Sequence, residues 1–121
     1  MTASLEIDFR NLGPSPALDA LIRHRLAGLE SQCAVVTSCH VAVEAPHQHQ
    51  RQGRHFSVHL RLRLPGTELV VSRDRDSARH EHADAAVRDA FDVMERRLHS
   101  YLRRLHGDVK QHSLPSQPPQ A

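Results

Sequence analysis

Four of the eleven histidines crowd between residues 47 and 59: His47, His49, His55 and His59, in and just after "APHQHQRQGRHF". Imidazole is a common metal ligand, so a metal site is the first chemistry to weigh. Structural zinc sites combine cysteine and histidine at tight, repeated spacings, and catalytic ones use forms such as His-Glu-x-x-His. Neither spacing occurs here. Gln48, Gln50, Arg51 and Gln52 surround the first two histidines, and arginine repels a cation. The stretch reads as a polar loop able to touch phosphates, and no metal or other cofactor is expected. The run from Arg79 to His82, "RHEH", reads the same way, as a polar approach to a helix.

Arginine carries the second possible chemistry. Fifteen of the sixteen basic residues are arginine, and Lys110 is the single lysine. The planar guanidinium fork matches phosphate better than the point charge of lysine does, although a GC-rich genome produces the same bias. Formal net charge is only +2, rising as histidines protonate below about pH 6.5. Arg61 and Arg63 share one side of an alternating run. Arg73, Arg75 and Arg79 fall in a connector, Arg88, Arg96, Arg97, Arg103 and Arg104 line a helical pattern, and Arg23 and Arg25 flank an earlier one. Two readings compete: a solvated charged face, or an RNA interface that grips phosphates by shape with little reading of bases. Aromatic residues make up 3% of the chain, which argues against a platform for stacking single-stranded bases.

Covalent catalysis has little to stand on. The chain contains no Gly-x-Ser-x-Gly, no glycine loop for phosphates and no dinucleotide fingerprint. Cys39 alternates with strand residues and is expected to be a buried small hydrophobe; Cys33, near a helix end, does not by itself make a nucleophile. Asp89 and Asp92 are expected on an exposed helix face, with Asp92 paired to Arg96 four residues on. The chain is expected to be no enzyme and to have no small-molecule substrate.

The elements that position these residues follow from periodicity. Leu5 to Phe9 alternates as a half-buried strand. Ser15 and Pro16 open a helix as cap and first residue, and Leu18, Leu21, Ile22, Leu26 and Leu29 recur at helical spacing. "SCHVAVEAP" turns Cys39, Val41 and Val43 to one side and ends at Pro46. "HFSVHLRLRLPG" alternates throughout, turns at Pro65-Gly66 and returns through "TELVVS" as a hairpin. The histidine-rich stretch therefore links the second and third strands. A long helix begins near Ala83, with Ala86, Val87, Ala90, Phe91, Met94, Leu98, Tyr101, Leu102 and Leu105 as its apolar stripe. Arg96 and Arg103 stand nearly opposite that stripe, and Gly107 is expected to close the helix.

The order β-α-β-β-β-α implies an α+β two-layer sandwich: a four-stranded sheet with two helices packed on one face. Residues 1–107 are expected to form one folded domain. Residues 108–121, rich in Pro and Gln, are expected to form a disordered tail. No apolar run reaches the roughly 20 residues of a membrane span, and the N-terminus lacks a secretory pattern. With two cysteines and no disulfide framework, a cytoplasmic location without membrane partners is expected.

This order, together with "AAVRDAFDVMERRLHSYLRRLHGDVKQH", resembles the ribosome hibernation-promoting factor and ribosome-associated inhibitor family, also called sigma-54 modulation or S30EA proteins. The resemblance extends to "IDFRNLGPSPALDALIRHRLAGLE", "SCHVAVEAPHQH" and "LPGTELVVSRD", covering about residues 5 to 112. It points to a short form and to a branch with a histidine-rich loop after "VEAP". It implies binding to the small ribosomal subunit and its rRNA in the messenger and transfer RNA channel, with translation blocked under stress. The residues it implies for RNA contact are Arg88, Arg96, Arg97, Arg103 and Arg104, with Arg23 and Arg25, and then Arg61, Arg63, Arg73 and Arg75. Family members are usually richer in lysine; here Asp84, Asp89, Asp92 and Glu95 offset part of the last helix's charge. A protein-interaction module without RNA binding is the alternative, and the patterns leave self-association open.

Overall fold

A computed structural model describes residues 3–45, 56–73 and 82–113, apart from the side chains of 107–113. The expected order is present: β1 (Ser4–Arg10), α1 (Pro16–Gln32), β2 (Ser38–Glu44), β3 (Ser57–Leu64), β4 (Thr67–Arg73) and α2 (Ala83–Ser113). The sheet runs β1-β2-β3-β4. β1 lies parallel to β2, with Ile7 beside Val41, because α1 provides the long crossover that a parallel pair requires. The other pairs are antiparallel, with Val41 opposite Leu60 and Leu60 opposite Val71.

Local chemistry sets the joints. The Ser15 hydroxyl accepts from the backbone N–H of Leu18 at 3.2 Å, capping α1, while Pro16 occupies the first turn, where a missing N–H costs nothing. Asn11 sits at φ 64° between β1 and α1, a conformation asparagine tolerates better than most residues, and its side-chain amide donates to the Ala45 carbonyl at 3.3 Å. Pro65 and Gly66 turn β3 into β4; Gly66 has φ 80°, the value a type II turn requires at its third position.

Period-two alternation puts Cys39, Val41, Val43, Val58, Leu60, Leu62, Leu64 and Val71 on one sheet face, all buried. Leu18, Ile22, Leu26 and Leu29 of α1 and Ala86, Val87, Ala90, Phe91, Met94 and Leu98 of α2 close over them in one core. Both helices therefore cover the same face, leaving the other face, with His40, His59, Arg61 and Arg63, open.

Two features depart from expectation. Helix α2 continues through Gly107 to Ser113. A glycine inside a helix costs about 1 kcal/mol relative to alanine; it ends a helix only where the backbone takes a left-handed cap, and here the helical hydrogen bonding carries on. The apolar stripe also loses its cover before its end. Tyr101 and Leu102 are half-buried, and Leu105 is 47% exposed.

Candidate nucleic-acid interface

Helix α2 separates its charges along its length. Its carboxylates up to position 106, Asp84, Asp89, Asp92 and Glu95, all precede Arg96; between 96 and 106 stand Arg96, Arg97, Arg103 and Arg104, with His99 and His106. Each carboxylate is engaged. Asp84 lies 3.9 Å from Arg88 on the exposed helix surface. Asp89, only 8% exposed at its side chain, accepts from Arg73 of β4 at 2.9 Å. Asp92 and Glu95 lie 2.7 and 3.4 Å from Nη2 of Arg25, whose guanidinium also stands 5.7 Å from the Phe91 ring centroid. Such a contact adds cation–π attraction to the ion pairs.

The cations beyond this belt stay open. Arg96, Arg103 and Arg104 are exposed and make no ion pair among the described residues. Arg97 is exposed as well and donates to the Val70 carbonyl of the edge strand β4. One groove, between α2 and β4, is lined by Leu69, Val93, Arg96, Arg97, Ser100 and Arg104. A second, toward the end of α1, brings Gln32, Glu95, His99 and Arg103 around Arg96. Arg96 stands on the ridge between them. Guanidiniums on a ridge between two shallow grooves can reach phosphates from either side.

The open sheet face is more evenly balanced. Glu68 lies 3.4 Å from Arg61 and 4.0 Å from Arg63, and Arg10 pairs with Asp8 at 3.0 Å. Nδ1 of His59 is 2.8 Å from the Ser72 hydroxyl. Arg10, His40, His59 and Arg61 edge a shallow depression floored by Ala42, and these are exposed pairs of small energetic weight.

The family model for sigma 54 modulation protein / S30EA ribosomal protein matches residues 5–106. The chain belongs to this family. No curated protein is similar enough to count as a match. Among solved structures, a ribosomal subunit interface protein from Coxiella burnetii has TM-score 0.67 at 16% identity, covering 83% of this chain and 98% of that one. The Thermus thermophilus Protein Y N-terminal domain has TM-score 0.64 at 20% identity, covering 84% and 99%. At these identities the two structures share the fold with this S30EA-family chain.

Of the residues singled out in the sequence, the fold gathers Arg96, Arg97, Arg103 and Arg104 on one exposed ridge, with Arg88 nearer the helix start. Arg23 is exposed on α1 and pairs with Asp19 along its own helix. Arg25 is at the α1–α2 seam, 16% exposed. Arg61 and Arg63 occupy the opposite side of the sheet. Arg73 ends β4 on the helix-covered side, since its register partner is the buried Val58. Arg75, Arg79, His47, His49, His55 and the tail 114–121 lie outside the described residues. Among those described, no group of three His, Cys, Asp or Glu is placed to hold a metal, and no helix is long and apolar enough to cross a membrane.

Two carboxylates are placed otherwise than expected. Asp89 is buried, and Asp92 pairs across the seam with Arg25 in place of Arg96. Both partners come from other elements, so spacing along α2 carried no signal of them. Cys39 is buried with a free thiol; burial, with the Glu30 charge adding to it, pushes that thiol up to about 12. It stays protonated and unreactive near neutrality.

Proposed function

We propose that this chain is a ribosome-binding hibernation factor of the cytoplasm, held on the rRNA of the small subunit by arginine–phosphate contacts. Seated in the channel for messenger and transfer RNA, it inhibits translation under stress by steric exclusion. One observation carries the reading: among the described residues Arg96, Arg103 and Arg104 stand exposed and without ion pairs on one ridge of α2, while Asp84, Asp89, Asp92 and Glu95 of the same helix are engaged farther back. A merely solvated face has no need of that separation. Family membership supports the same direction, and the Coxiella burnetii structure of like fold is named a ribosomal subunit interface protein.

The contact set proposed is Arg96, Arg97, Arg103 and Arg104, with Arg88 and Arg23 at its margins. Arg61, Arg63, Arg73 and Arg75 are secondary candidates. The test is co-sedimentation of the purified protein with small subunits, large subunits and intact ribosomes at low and moderate salt. Saturable, near one-to-one, salt-sensitive pelleting with small subunits is the expected result. Absence of pelleting at low salt would sink the reading.

A second reading, a protein-interaction module, draws on the open sheet face and on Val70, 43% exposed on the edge strand, since edges can pair with a partner strand. Binding that survives nuclease treatment of the partner extract would favour it.

A further inference from the structure

Asp92 has two cations within reach. Along its own helix Arg96 stands four residues on, with the carboxylate on the N-terminal side, the better orientation for such a pair. Across the seam stands Arg25. The structure gives the carboxylate to Arg25, whose Nη2 lies 2.7 Å from Oδ1 of Asp92. The same nitrogen reaches Oε2 of Glu95 at 3.4 Å, and Phe91 holds the guanidinium plane from beneath. Arg25 is 16% exposed at its side chain, against 53% for Asp92 and 39% for Glu95, so the half-covered seam offers a somewhat lower dielectric than the open helix surface on which Arg96 stands. Coulomb attraction is stronger there, while a fully exposed pair gains little. Arg25 therefore wins the competition, and Arg96 is left without an ion pair among the described residues.

From this competition we infer that Arg25 is a positioning residue for the RNA-binding ridge: by occupying Asp92 and Glu95 it keeps Arg96 available to a phosphate without contacting RNA itself. The inference rests on the proposed RNA-binding reading. Take Arg25 away, and Asp92 turns to Arg96 while Glu95 stands uncompensated beside it. One phosphate grip is then lost and a negative charge faces the RNA. The resemblance to the family treats Arg25 as a direct contact, and the two roles make opposite statements about a second-site change.

The experiment measures binding to isolated small subunits over a salt series. It compares wild type, Arg25→Met, the pair Asp92→Asn with Glu95→Gln, and the triple variant. Methionine keeps an apolar stem over Phe91. Arg25→Met is expected to bind roughly tenfold more weakly, with a log–log salt slope shallower by about one. The triple variant is expected to return to within about twofold of wild type and to recover the slope, because Arg96 is free again. A triple variant as weak as Arg25→Met alone would mean direct phosphate contact and would overturn the inference, as would Arg25→Met binding like wild type. Should Arg25→Met not fold, as thermal melting shows at once, Arg25→Lys takes its place. It keeps the masking charge and is expected to bind within about threefold of wild type. A tenfold loss from that change would point to a forked phosphate grip and overturn the inference. Wild type that fails to bind at all overturns the RNA-binding reading; wild type that binds without the rescue overturns only the role given to Arg25.

Discussion

Arg96 and Arg103 stand nearly opposite Met94 on α2, so they can be changed without touching the core. Reversing both, Arg96→Glu with Arg103→Glu, is expected to weaken small-subunit binding by roughly a hundredfold or more, since each charge-assisted contact is worth about 1.5–3 kcal/mol. Stability should move by less than about 0.5 kcal/mol, as for other exposed positions. Co-sedimentation and thermal melting of the same samples check the two halves of that statement. Cys39 makes a different prediction, about pH. Its thiol has an ordinary value of 9.0, raised to about 12 in the fold. Between those values the unfolded chain has released the proton and the folded chain still holds it. Stability is therefore unaffected below about pH 9 and falls above it by up to about 1.4 kcal/mol per pH unit. Cys39→Ala should be less stable at pH 8, from the small cavity it leaves, yet decline less steeply toward pH 10.5. Denaturant titrations of both proteins at several alkaline pH values compare the slopes, and parallel slopes would remove Cys39 as the cause.

Helix α2 is the element on which fold and function meet, because its inner stripe is core and its outer ridge is the proposed contact. Phe91 is fully buried in that stripe and also lies beneath Arg25. Phe91→Ala is expected to cost about 3–5 kcal/mol of stability and, in whatever fraction remains folded, to loosen the Arg25 contact; denaturant titration measures the first effect. Gly107 lies inside the helix, so Gly107→Ala should raise helicity and stabilise by roughly 0.5–1 kcal/mol. Far-ultraviolet circular dichroism reads that change, and a drop in helicity would mean that the glycine conformation matters. The same helix shows what was legible beforehand. Alternation from Ser57 to Leu64 and the 3.6-residue recurrence from Ala86 to Leu98 are direct imprints of burial, so strands, helices and the outward place of Arg96 and Arg103 could be read. Gly107 misled because glycine marks a helix end only through a backbone angle that its identity does not contain. Asp89 and Asp92 misled for another reason. Arg73 and Arg25, their partners, are respectively 16 and 67 residues away in sequence, and only packing brings them together.

At the scale of the whole molecule the formal charge of +2 gives a poor account of how the chain could hold RNA. The charges that decide are local. Ion pairs engage Asp84, Asp89, Asp92 and Glu95 of α2, the open sheet face nearly balances its own charges, and the unpaired positive charge among the described residues gathers on one stretch of that helix, from Arg96 to Arg104. Long-range steering by a net charge this small would be weak, whereas a concentrated ridge still neutralises phosphates one for one and releases their counterions. The two pictures differ in salt dependence. If three or four arginines of the ridge each meet a phosphate, the logarithm of the binding constant should fall against the logarithm of salt with a slope near −3, at about −0.9 per contact. Raising monovalent salt fourfold, from about 50 to about 200 mM, then weakens binding roughly sixtyfold. Co-sedimentation at constant magnesium gives that slope, and Arg103→Met should reduce it by about one while Arg61→Met, on the charge-balanced sheet face, changes it much less. A slope near zero in the wild type would mean that the complex is held by packing against protein, and the ridge would then be an ordinary solvated surface. A steep slope that responds to Arg61 as strongly as to Arg103 would put RNA on both faces of the sandwich, with the chain clasped between two walls and not resting on one.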